Sequence, residues 1–418
     1  MIIVSIGNEI LYGKTVNTNA PFISDQLYKI GIEVQKVITI GDQRSEIEST
    51  LNQVFNESDL VIATGGLGPT KDDITKEVIC EYFKTPLVVH QPTLEHITKM
   101  FEKRGFTLTE VNQKQAEIPE NAIVLNNNNG TAPGLWMERS GKVLVILPGV
   151  PFEMKSIFLN EVIPLLKKKY ETNKVIIHKE IITAGIGESN LSDMIETWEL
   201  SLPKHILLAY LPKPGQLLLR LTGRGVKGEE TQLNQELESQ LVLLKKIANK
   251  YIISSENESL VEVIGKWFIK NKKRLAVAES CTGGYLSHLI TSLPGSSQFY
   301  EGGIVSYSNN VKREILNVRE QNLKKHGAVS EFVVNDMAIN TMGLFDVDYT
   351  IAISGIAGPS GGTPEKPVGT VWIAVASPTN IVAEKFNFGT QGGREVVIQR
   401  AANSALYMLY NMIKNNYR

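Results

Sequence analysis

Apolar residues in this chain come in two rhythms that take turns. MIIVSIG (1–7) is a short continuous apolar run, as in a buried strand, and Asn17–Ile30 then places Phe22, Ile23, Leu27 and Ile30 on one helical face. EVQKVITIG (33–41) alternates like a strand. Ser45–Phe55 carries Ile47, Leu51, Val54 and Phe55 at helical spacing, and DLVIATGG (59–66) is a buried strand that runs into a glycine turn. Strands alternating with helices predict parallel βαβ units in a doubly wound sheet. The pattern continues through KVLVILPGVPFEM (142–154) to a helix ending near Tyr170.

The rhythm changes over residues 171–256. KVIIHKEIITAGIGES (174–189) predicts a strand into a glycine turn, and an amphipathic helix follows from Asn190. ILLAYLP and QLLLRLTGR flank Lys213, Pro214 and Gly215, a hairpin signal, and Gln232–Ile247 predicts a second helix. This is a small α+β module. In 257–418, Leu260–Ile269 is helical and RLAVAES, GGIVSYSNN, DYTIAISG and GTVWIAVAS are strands, the first and third ending in glycine turns. A last helix runs from Arg394 to about Met412. The expected layout is three domains, 1–170, 171–256 and 257–418, of α/β class.

Composition narrows the partners. Among 418 residues, 43 Lys and Arg against 44 Asp and Glu leave a formal charge of −1, which disfavours a nucleic-acid coat or a membrane-surface binder. The middle module is neutral too, with ten basic and ten acidic residues over 171–250. At 42% hydrophobic and 21% charged the chain is globular rather than disordered. Apolar runs such as Val143–Leu147 fall far short of the roughly 20 residues of a membrane span. The N-terminus lacks the basic start of a signal peptide, and two cysteines cannot build a disulfide scaffold. The six histidines show no metal-ligand spacing. A cytoplasmic protein is expected.

Ligands of open α/β sheets bind beyond the carboxyl ends of the strands, so the strand-then-glycine segments are the places to look. There are four: ATGGLGPTKDD (63–73), VILPGVPFE (145–153), AESCTGG (278–284) and ISGIAGPSGG (353–362). Glycines let backbone N–H groups approach an anion there. None fits the Walker A or dinucleotide fingerprint. In the first, the turn through Gly65, Gly66, Gly68 and Thr70 is a candidate nucleotide cradle. Asp72 and Asp73, with Glu9 after the first strand, are candidate ligands for a divalent cation holding a pyrophosphate. Helix capping is the plainer account of these acids.

AESCTGG pairs a possible nucleophile with an oxyanion-binding turn. Ser280 stands at a strand-to-helix junction without a nearby histidine, and SYSNNVKRE supplies Tyr307 and Lys312 at another strand end. A desolvated lysine loses basicity and can serve as the base, with the phenol relaying the proton. The plainer account makes Ser280 a helix cap and Lys312 a solvated lysine. Cys281 is a rival nucleophile, or a small buried filler. Residue type alone does not separate the two neighbours.

The chain resembles the CinA (competence/damage-inducible protein A) family over essentially its whole length. GNEILYGKTVNTNA, TGGLGPTKDDITKE, NGTAPG and LPGVPFEM carry the N-terminal likeness, and AESCTGG, YSNNVK and SGIAGPSGG the C-terminal one. The resemblance implies two α/β sandwich domains, an N-terminal molybdopterin-binding-like (MoaB/MogA) one and a C-terminal amidohydrolase, joined by a KH-like α+β module. It further implies deamidation of nicotinamide mononucleotide at the C-terminal domain without a cofactor, and metal-dependent ADP-ribose pyrophosphatase activity at the N-terminal one. Ser280, Tyr307 and Lys312 fall on the family's catalytic set, favouring serine over Cys281. Glu279, Thr282, Gly283, Gly284, Gly355, Ala357, Gly358 and Arg394 are expected to meet substrate, Arg394 at its phosphate. A homodimer is expected, and no nucleic-acid or membrane partner. The rivals are a non-catalytic nucleotide-binding protein of the competence or DNA-damage response, and a pterin-binding N-terminal domain.

Overall fold

The computed structural model describes the chain except residues 71–72, 171–172, 257 and 416–418. It forms two compact units: Met1–Ile177 with Arg224–Glu230, and His178–Gly223 with the chain from Thr231 onward. No helix among the described residues is long and apolar enough to cross a membrane.

The first unit holds strands β1 (Ile2–Ile6), β2 (Lys36–Ile40), β3 (Leu60–Thr64), β4 (Leu87–Val89), β5 (Glu117–Pro119), β6 (Ile123–Leu125), β7 (Gly134–Arg139) and β8 (Lys142–Leu147). Six of them make one sheet in the order β2-β1-β3-β8-β7-β6, while β4 and β5 pair separately. Every residue of β1 and β3 is buried, as in strands covered on both faces. Ile2, Val4 and Ile6 face helices Arg44–Glu57 and Thr75–Phe83, while Ile3, Leu60 and Ile62 face helices Asn19–Lys29 and 151–169. The parallel expectation holds for β2, β1, β3 and β8. It fails at β7 and β6, which run antiparallel. The reason is the two-residue loop Ser140–Gly141 between Arg139 and Lys142, too short for anything but a hairpin.

The second unit begins its own sheet with β9 (Lys174–Ala184), β10 (Ile206–Lys213), β11 (Gln216–Val226) and β12 (Ile252–Ser254), ordered β10-β11-β9-β12, with helices Glu188–Leu200 and Glu230–Ala248. The expected hairpin closes with Lys213 opposite Gln216. A five-stranded sheet follows: β13 (Leu275–Glu279), β14 (Tyr300–Val305), β15 (Tyr349–Gly355), β16 (Thr370–Ser377) and β17 (Asn380–Asn387), ordered β14-β13-β15-β16-β17. Here too the far strands β16 and β17 are antiparallel. Leu275, Val277, Ile351 and Ile353 face helices Leu260–Asn271, Tyr285–Thr291 and Gly393–Asn415. The opposite face carries Ala278, Ala352, Ala374 and Ala376 against Val333, Val334, Met337 and Ala338 of helix Glu331–Phe345. Alanines there let that helix approach closely.

Candidate active site

Ser280 is the first residue beyond β13, and its N–H still belongs to the sheet, donating to Ile353 O of β15 at 3.0 Å. Then the chain turns. Gly283 N–H donates back to Ser280 O at 3.1 Å, with Gly283 at φ 60° and Gly284 at φ 100°, a left-handed pair that residues with a Cβ resist. The fully buried Glu279 carboxylate accepts from the N–H groups of Gly284 (3.1 Å), Leu286 (3.0 Å) and Ser287 (2.8 Å) and from the Ser287 hydroxyl (2.7 Å). It thereby satisfies the amides that open helix Tyr285–Thr291.

This corrects the expectation for Glu279, which lies inside the domain holding the turn rather than facing substrate. The Gly283 and Gly284 amides, also expected at substrate, are occupied too, by Ser280 O and by the Glu279 carboxylate respectively. The Thr282 N–H has no backbone acceptor among the described residues, and Thr282 Oγ1 is buried without a hydrogen-bond partner. A buried hydroxyl without a protein partner is a group for a ligand to meet.

Strand β14 runs parallel to β13 with Val305 beside Glu279, so the loop after Val305 emerges next to Ser280. Ser308 caps helix Asn309–Glu314 by accepting from Val311 N–H at 3.2 Å, and one turn later Lys312 points inward with 1% of its surface exposed. Its Nζ lies 2.9 Å from Ser280 Oγ and 2.6 Å from Ser306 O. Burial, only partly offset by the Cys281 thiol, pushes the amine down from 10.5 to about 8. Lys312 is therefore not the solvated lysine of the plainer account. Cys281 packs in the core beneath the sheet, and burial pushes its thiol up to about 12. Of the two neighbours, serine has the base.

Tyr307 stands apart from this pair. It is 62% exposed, and its hydroxyl accepts from Arg394 Nη2 at 3.1 Å. Arg394 Nη1 donates to Gly358 O at 2.9 Å, which joins the start of the last helix to the turn after β15. Among the described residues Tyr307 has no hydrogen bond to Ser280 or Lys312, so the expected three-membered relay is not assembled. Gly355, the last residue of β15, still pairs with Val371. Ala357, expected at substrate, is in the core at 3% exposure.

The N-terminal candidates gather at a cleft of about 500 Å³ where β1, β3 and β8 end. Its lining includes Gly65, Gly66, Gly68, Asp73 and Glu9. A Cβ on Gly65 would overlap Ile6 O, so only glycine lets the turn cross that close to β1. Asp73 Oδ2 accepts from Thr70 N–H (3.0 Å) and Thr70 Oγ–H (2.5 Å), closing the turn itself. Asp72 lies outside the described residues.

No three His, Cys, Asp or Glu side chains among the described residues stand close enough to hold a metal ion. Other groups in the cleft escape sequence reasoning: Asp42, Glu153, Asn19 and Gln115. Asn19 Nδ2 donates to Gly149 O at 2.8 Å, leaving its Oδ1, like Gln115 Oε1, a buried acceptor without a donor. For Asp42 and Glu153 the available signal was a carboxylate just past a strand end; for the two amides there was none.

Three family models match the chain: a probable molybdopterin binding domain over residues 2–168, the damage-inducible protein CinA KH domain over 178–253, and the CinA C-terminal domain over 257–413. A CinA-like protein of Flavobacterium psychrophilum is 46% identical over 419 residues, 99% of each chain. A putative competence-damage inducible protein of Thermoanaerobacter pseudethanolicus is 40% identical over 405 residues, 97% of this chain and 96% of its own. Among solved structures, a CinA protein of unknown function from Thermoplasma acidophilum is 38% identical, covering 40% of this chain and 95% of its own with a TM-score of 0.36.

Proposed function

Because the chain belongs to the CinA family, with a molybdopterin-binding-like domain, a KH-like domain and a CinA C-terminal domain, we propose that the last of these is a serine amidohydrolase acting on nicotinamide mononucleotide. The observation that carries the reading is a buried amine, lowered to about 8, standing 2.9 Å from a serine hydroxyl at a strand end. The pyridine nucleotide as substrate rests on the family resemblance.

Neutral Lys312 takes the proton as Ser280 Oγ adds to the carboxamide carbon. The developing oxyanion is received by the N–H of Thr282, which has no backbone acceptor of its own, with the N–H of Cys281 beside it. The C–N bond then breaks, and the Lys312 ammonium hands its proton to the departing nitrogen, which leaves as ammonia. Water adds to the ester on Ser280 and gives its proton to Lys312. The acyl–oxygen bond breaks, nicotinate mononucleotide departs and Ser280 Oγ recovers its proton. Ser306 O holds the Lys312 amine in place throughout. Arg394 and Tyr307 order the phosphate end of the substrate.

The test is ammonia release from nicotinamide mononucleotide by the full chain. Ser280→Ala is expected to abolish it; activity that persists in this variant overturns the reading. Binding of the nucleotide with no ammonia from the parent chain would instead make the protein a non-catalytic nucleotide binder.

We also assign the N-terminal cleft to a phosphate-bearing nucleotide, with ADP-ribose as the substrate that the resemblance implies. The glycine turn at strand ends supports the phosphate, and the unpaired Asn19 Oδ1 and Gln115 Oε1 support a partner offering N–H or O–H donors. A divalent cation would be held by Glu9 and Asp73 of this cleft together with Asp72, and would supply charge neutralisation and an activated water at the pyrophosphate. Metal-dependent AMP formation from ADP-ribose, lost in Asp72→Ala, is the expected result. Unchanged AMP formation in that variant removes the pyrophosphatase, and calorimetric binding of a pterin in preference to ADP-ribose reassigns the cleft.

A further inference from the structure

A cavity of about 790 Å³ belongs to neither candidate site. It lies within the second unit, where the turns of the KH-like module meet the last strand and last helix of the C-terminal domain. The joint is fixed on several sides. A Cβ on Gly185 would run into the Tyr407 ring. Asn403 donates to Pro214 O at 2.9 Å and accepts from Gln216 Nε2 at 3.1 Å. Ala184 and Ile253 of the module belong to the same buried cluster as Leu406 and Leu409. The space is therefore framed by packed backbone rather than left by a loose hinge.

Its walls have a consistent chemistry. Phe386 from β17 and Tyr407 and Met408 from the last helix give aromatic and thioether surface, the kind that takes a flat ring. Lys250 and Lys414 bring two positive charges against the single carboxylate of Glu384. The volume is that of a small-molecule site. We propose that this cavity is a second ligand site, for a nucleoside phosphate, with the base against the aromatic wall and the phosphate between the lysines. The helix that forms one wall is the one whose first turn carries Arg394, so a ligand there braces the element that reaches the candidate active site.

The test is photolabelling of the full chain with 8-azido-AMP and mapping of the tryptic peptides. The expected result is label in the peptide 401–414, competed by AMP but by neither adenosine nor inorganic phosphate at the same concentration. A Lys250→Glu/Lys414→Glu double variant whose melting temperature matches the parent should lose at least tenfold of that label. Label confined to other peptides, undiminished in the folded double variant, or competed equally by adenosine or phosphate alone overturns the proposal. None of these readouts depends on amidase activity.

Discussion

Lys312 carries the heaviest burden of any single side chain. In the folded state its amine titrates near 8, whereas an exposed lysine titrates near 10.5, so folding disfavours the charged form. The unfolded chain therefore binds the proton more tightly, and stability rises as the pH climbs from about 8 toward 10.5. Below 8 the full penalty applies, about 3 kcal/mol from the gap between the two values. Lys312→Met removes the charge at similar length. It should raise the melting temperature at pH 7 by several degrees while abolishing ammonia release, a pair of effects that calorimetry and an ammonia assay read together. Catalysis needs the neutral amine, so kcat/KM for the parent should climb about tenfold per pH unit up to about 8 and then level. Cys281→Ala should keep most of the activity, because its thiol stays protonated in the core. In the sequence Ser280 was legible from the strand-then-glycine pattern. The burial of Lys312 was not: in YSNNVKRE only Val311 is aliphatic, and helix Asn309–Glu314 is too short to show a buried face.

Among elements, the turn from β13 into helix Tyr285–Thr291 shapes the site most directly. Its Glu279 carboxylate gathers three backbone N–H groups and a hydroxyl, and so fixes the amides that open the helix. Glu279→Gln keeps the shape but loses the charge and one acceptor oxygen. It should cost about 2–4 kcal/mol of stability and lower kcat more than it changes KM, measured by denaturant unfolding and steady-state kinetics. The last helix contributes differently, through Arg394 at its start. Arg394→Ala should raise KM for nicotinamide mononucleotide about tenfold with kcat nearly unchanged, as loss of a binding contact does. Helices and central strands could be read from periodicity because each has a continuous core face. β17 escaped because its burial pattern is exposed almost throughout, so NIVAEKFN offers no apolar alternation. Strand direction at the sheet edges was equally hidden, being set by loops such as Ser140–Gly141 rather than by the strands.

At the scale of the molecule, separate cores underlie the two candidate sites, one around β1, β3 and β8 and the other around β13, β15 and β16. Ser280→Ala should therefore leave AMP formation from ADP-ribose within twofold of the parent chain. The three-part layout was readable from the change of rhythm after Tyr170. What no local pattern could announce is that residues 224–230 return to the first unit after the chain has left it at Ile177. The second unit is thus assembled from stretches on either side of that excursion, joined by β9 pairing with β12 and by Ala184 and Ile253 in one buried cluster. A protease that nicks the exposed Lys227–Glu229 turn would cut the polymer without dismantling the protein. The two fragments should travel as one species through a sizing column and come apart only in denaturant.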